Sequence, residues 1–211
     1  TATVTPNAAS ILEDAANVQK TQTKDVEFSM NINLTARDLT ISGDLKGKET
    51  SSPQRLDVVI TNFKTAGMQF SGEIITDAAT HTTYTKFTGT SSFPQIPAGS
   101  CIKSSGGFFF NPLLINPTQF SDLSQMKDVT LKGSETLDGI SVWHFQATKT
   151  FSGTTSKADI YIRQDNKQLY EIVSNATGTS SGSVTFKVTG VNTGATISLP
   201  PASQVVSQYP G

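Results

Sequence analysis

Nine residues constrain this chain more than any others: Val26, Phe28, Met30, Ile32 and Leu34 alternate without a break against Glu27, Ser29, Asn31 and Asn33. A period of two is that of a strand with one apolar and one solvated face. Most strands in globular proteins have about five or six residues, so this one is long. The same pattern recurs over most of the chain, and some element must cover that much one-sided sheet.

The alternation predicts strands over Asp25 to Thr35, from Leu39 to Leu45, Gln54 to Thr61 and Met68 to Thr76, with a Thr-rich one over Thr80 to Phe87 carrying Tyr84. Short connections between them imply an antiparallel meander rather than a parallel sheet with helical crossovers. Gly89 to Gly107 is rich in Ser, Gly and Pro and is expected to be a long loop. Phe108 to Ile115 is the most apolar segment, and Asn116-Pro117 opens an expected helix to Met126 with Phe120 and Leu123 inward. Strands resume over Val129 to Glu135, turn at Asp138-Gly139, and continue over Ser141 to Thr148, with Trp143, Phe145 and Ala147 on one face. Lys157 to Arg163, Gln168 to Ser174 and Ser183 to Val191 follow, and a last strand is expected over Ala195 to Leu199 before Pro200-Pro201.

Ahead of the sheet, Asn7 to Lys20 is a helix candidate. Ala8, Ile11, Leu12, Ala15 and Val18 share one face, Asn7 is placed to cap the start, and Lys20 suits the end. Residues 1–6 read as a linker remnant, 7–201 as one domain and 202–211 as an irregular tail.

About ten strands of about eight residues make a sheet roughly 45 Å by 25 Å, or on the order of 1,100 Å² per face. The two helices hide about a third of it. A soluble monomer leaves no more than a few hundred Å² of apolar patch exposed, so the sheet must curl round its helices and any remaining hollow is apolar. The expectation is an α+β, mainly β fold: one curved antiparallel sheet, an unclosed half-barrel, with a few helices lidding a concave hydrophobic face.

Composition excludes several functions. Net charge is −1 and only 16% of residues are charged, with no basic cluster interleaved with aromatics, which argues against nucleic acid. Cys101 is the only cysteine, so no internal disulfide forms. No apolar run is long enough to span a bilayer as a helix. His81 and His144 fall on separate strands without metal-ligand spacing, and His144 should face away from Trp143 and Phe145. No nucleophile, base and orienter can be assembled, so neither an enzyme nor a cofactor is expected.

The order of these parts resembles the LolA/LolB-like superfamily, and most closely the LppX/LprG-type envelope lipoproteins. The features that carry it are the first helix (Ile11, Leu12, Ala15), the meander ending in Tyr84 and the Asn116 helix. The Glu135-Thr136-Leu137-Asp138-Gly139 segment before Trp143-His144-Phe145 and the closing Ile197-Ser198-Leu199-Pro200-Pro201 complete it. The resemblance covers nearly the whole chain by order rather than by any one motif. It implies an unclosed antiparallel barrel that holds an acyl lipid, glycolipid or lipoprotein outside the cytoplasmic membrane. It also implies peripheral or lipid-anchored membrane association, through an N-terminal segment removed here.

The cavity candidates are Phe28, Met30, Ile32, Leu56, Val58, Ile60, Met68, Phe70, Tyr84, Phe109, Leu113, Phe120, Leu123, Trp143 and Phe145, each of which has plain core packing as its competing role. The expected function is a monomeric lipid carrier or presenter, with headgroup contacts near Ser100 to Ser105. The alternative is an envelope sensor or protein-interaction module with a vestigial cavity.

Overall fold

Long one-sided strands need partners on both edges, and a single sheet supplies them. The computed structural model describes residues 7–36, 39–65, 68–88, 101–105, 129–151 and 153–206. After helix α1 (Ala8–Gln22) come β1 (Asp25–Ala36), β2 (Leu39–Ser51), β3 (Gln54–Thr65), β4 (Met68–Asp77), β5 (Thr82–Thr88) and β6 (Cys101–Ser105). Then follow β7 (Val129–Leu137), β8 (Ile140–Phe151), β9 (Thr154–Arg163), β10 (Leu169–Gly178), β11 (Ser180–Val191) and the two-residue β12 (Val205–Val206).

The twelve strands form one sheet in the order β12-β6-β5-β4-β3-β2-β1-β11-β10-β9-β8-β7. Two antiparallel meanders, β1 to β6 and β7 to β11, are joined where β1 pairs with β11. Among the described residues only β12 runs parallel to its neighbour, β6. Among the described residues the end strands β7 and β12 do not meet, so the sheet is unclosed. Register shifts in β1, β2, β3, β7 and β10 are bulges of the kind that bend a sheet.

Residues opposite one another on neighbouring strands share a face. Phe87, Gly72, Ile60, Leu45, Met30, Phe186, Ile172, Ile160, Phe145 and Leu131 make one such row across ten adjoining strands. This is the inner face. Ile11, Leu12 and Ala15 of α1 pack with Phe28, Met30, Leu45, Ile60, Ile160 and Phe186 in one buried cluster. The cap expected at Asn7 forms, its Oδ1 accepting from the Ala9 amide at 3.0 Å.

Three expectations are corrected. The segment read as loop from Gly89 to Gly107 contains β6, with Cys101 and Ile102 buried, so Cys101 to Ser105 belong to the sheet rather than to a headgroup loop. Five residues are too few for a period to declare itself. Ala195 to Leu199 is not a strand: it is irregular, with Arg55 Nη1 donating to the Ile197 carbonyl at 2.9 Å. Sheet pairing comes later, at β12, so the ordered fold extends beyond residue 201 through a 3-10 turn at Ala202–Gln204. The helix expected over Pro117 to Met126 lies outside the described residues, among which no helix is long and apolar enough to cross a membrane.

Candidate functional site

The inner face is the candidate site, and α1 covers part of it. Beneath the helix the packing is tight: Phe28, Leu45, Ile60, Phe145, Ile160 and Phe186 are fully buried. Elsewhere the apolar surface continues but is only partly covered, as at Leu34, Ile41 and Val184 of the central strands. Leu56 and Ile74 lie on the β3–β4 wing, and Val129, Leu131 and Trp143 on the β7–β8 wing. Lys167 Nζ stands 3.7 Å from the centre of the Trp143 ring, a cation on a half-covered indole face.

Where the second half of α1 passes the start of β1 and the end of β2, an open groove of about 770 Å³ remains. Ala16 and Val26 contribute its apolar wall, Asn17, Thr50 and Gln54 offer hydrogen-bonding groups, and Glu13, Lys20, Lys24 and Glu49 bring charge. Glu49 stands opposite Val26 on β1 and Leu56 on β3, which places it on the inner face. Burial pushes its carboxyl up to about 7.

The groove's floor is fastened at the α1–β1 junction. Ser51 donates its amide and its hydroxyl to the Lys24 carbonyl at 2.8 and 3.0 Å. Asn192 accepts from the Lys24 amide at 2.7 Å and donates to the Gln22 carbonyl at 2.9 Å. Burial is the largest influence on Asp25 and pushes its carboxyl up. The Thr193 hydroxyl and the amides of Thr193, Ala195 and Gly194 outweigh it, leaving the group below its ordinary value.

Of the sequence candidates, Phe28, Met30, Ile32, Val58, Ile60 and Phe145 do come together in the buried cluster, with Leu56 and Trp143 partly buried against it. Tyr84 is a correction. It pairs with Ile75 and Lys103, in the register opposite to Ile74 and Thr85, and so faces outward. There it lines a small cavity of about 150 Å³ with Cys101, Ser198 and Pro200. The strand is Thr-rich on both faces, so its period could not orient it. Phe109, Leu113, Phe120 and Leu123 lie outside the described residues, as do the side chains of Met68 and Phe70.

Sequence reasoning missed the groove. Continuing the inward positions Ile41, Gly43 and Leu45 by two steps reaches Gly47 and Glu49, and that register was the available signal.

On the outer face His144 turns away from Phe145, as expected, but into a cluster. Its Nδ1 is 2.7 Å from Glu135 Oε1 and its Nε2 2.9 Å from Asp159 Oδ1, and its ring stacks on Tyr161 at 4.8 Å. Among the described residues no group of three or more His, Cys, Asp or Glu is placed to hold a metal ion.

No protein-family model matches the sequence, and no curated protein matches it. Solved structures do match in fold. The Mycobacterium tuberculosis lipoprotein LppX superposes with a TM-score of 0.54 at 16% identity, over 90% of this chain and 97% of that one. LprF from Mycobacterium bovis gives 0.57 at 14% identity, over 93% and 97%. The chain therefore has the fold of LppX and LprF.

Proposed function

We propose that this protein binds the acyl chains of a lipid or lipidated molecule against its inner face and carries or presents them across a bacterial cell envelope. The observation that supports this most is the apolar row across ten strands, over which one described helix lies. The groove beside α1 falls within the usual ligand-pocket range of about 300–1,000 Å³. Binding is by partition, without covalent chemistry: burying ten methylenes contributes about 8 kcal/mol. The LppX-type fold, found in a protein named as a lipoprotein, supports an extracytoplasmic setting with peripheral or lipid-anchored membrane association. The cargo is an acyl lipid, a glycolipid or a lipoprotein, held by a monomer.

Native mass spectrometry of protein from a bacterial host, with organic extraction alongside, tests the reading. Co-purifying mass released as acyl lipid is expected. An apo mass with no later uptake of fluorescent fatty acid contradicts it and favours a protein-interaction module.

A further inference from the structure

Four charged side chains line the groove beside α1 without a partner among the described residues: Glu13, Lys20, Lys24 and Glu49. Glu49 lines it from the inner face of β2, and its carboxyl has no hydrogen-bond or ion-pair partner there. Asp25, at the same groove, is by contrast saturated by donors from Thr193 and Gly194. Lys20 in the last turn of α1 and Lys24 just beyond it line the same opening, are exposed, and have ammonium groups equally without partners among the described residues. The Lys24 backbone is held in place by Ser51 and Asn192, so its position at the lip is fixed. A partly buried charge without a counter-ion is costly, and a ligand that brings the opposite charge recovers that cost.

We propose that this groove takes the head of a zwitterionic phospholipid bearing a primary ammonium, with the ammonium on Glu49 and the phosphate at Lys20 and Lys24. This rests on the lipid-binding reading and specifies the head such a lipid carries. A purely anionic head satisfies the lysines but sets a like charge against Glu49. A neutral polyol leaves Glu49, Lys20 and Lys24 uncompensated. A quaternary ammonium brings charge but no N–H donor for the carboxylate, whereas charge-assisted N–H bonds are about twice as strong as neutral ones.

The assignment fixes the sign of a pH dependence. Facing Glu49 across the groove are Glu13 and Lys20 from α1 and Lys24 and Asp25 from the junction, while β3 contributes the uncharged Gln54 and Leu56. Glu49 passes from mostly protonated to mostly ionised between pH 6 and 8, through its value of about 7, so affinity for an ammonium head rises on the order of tenfold across that range. An acyl chain lying against a protonated carboxyl would show the reverse.

The test is calorimetric titration of the full chain with dihexanoyl phosphatidylethanolamine, phosphatidylcholine and phosphatidylglycerol at pH 6 and 8. Parallel titrations use Glu49→Gln and the double variant Lys20→Ala/Lys24→Ala. Expected are preference for the ethanolamine head, tightening toward pH 8, loss of both in Glu49→Gln, and weaker binding of all three lipids in the lysine variant. If Glu49→Gln does not fold, the pH profile of the unmodified chain and the variant at the two exposed lysines still decide. Binding without head preference, or weakening toward pH 8, overturns this assignment and leaves lipid binding standing. No binding of any of the three overturns both.

Discussion

Gly47 shows how closely the inner face is fitted at single positions. A Cβ there would lie 2.3 Å from Phe28 Cζ and 2.9 Å from the Asp57 carbonyl oxygen, so glycine is what lets the Phe28 ring lie flat across β2. The ring could shift, but the carbonyl belongs to the next strand and could not. Gly47→Ala is expected to cost about 1–3 kcal/mol, read as a lower midpoint in urea unfolding; an unchanged midpoint would mean the ring moves freely. Glu49, one step further along the same face, has a carboxyl that binds its proton more tightly folded than unfolded. Its contribution therefore declines as pH rises from the ordinary value of 4.5 to about 7 and is flat above. Glu49→Gln removes that decline. Its stability relative to the parent is expected to rise across this window by up to about 3 kcal/mol. Parallel stability curves would show that the carboxyl is solvated after all.

At the scale of elements, α1 is held to the sheet by one narrow stripe. Its buried stripe is Ile11, Leu12 and Ala15, while Glu13 and Asp14 are exposed. Leu12→Ala should destabilise by about 2–5 kcal/mol, whereas Glu13→Ala should stay within about 0.5 kcal/mol; thermal unfolding of the two variants separates them. A small effect at Leu12 would mean the helix rests loosely on the sheet. The helix and its Asn7 cap were legible in the sequence because both depend on local spacing. So were β1 to β4, β8 and β11, whose alternation fixes their inward faces, and the presence of β7, β9 and β10. What sequence could not give was set by partners distant in the chain. β6 and β12 are short and exist because they pair with each other and with β5. Tyr84 sits in Thr-Thr-Tyr-Thr-Lys-Phe-Thr, where threonines on both faces erase the contrast that orients a strand. The His144 cluster draws Glu135, Asp159 and Gln146 from three strands, and only their register brings them together.

At the scale of the molecule, the sheet is an open trough whose apolar side is wider than one helix. A 15-residue helix is about 22 Å long and 10 Å across, while ten strands at 4.8 Å spacing extend about 45 Å. Leu56 and Ile74, Leu34 and Val184, and Leu131 and Trp143 are among the apolar positions left only partly covered. The protein carries its own reporter for an acyl chain bound on this face, since Trp143 is the only tryptophan. The most direct measurement is therefore Trp143 emission during titration with phospholipid brominated in the acyl chains, against the same lipid unbrominated. Acyl-chain binding on the inner face predicts strong quenching by the brominated lipid alone, saturating with binding. Emission that stays unchanged while lipid binds would place the chain away from the inner face and contradict it.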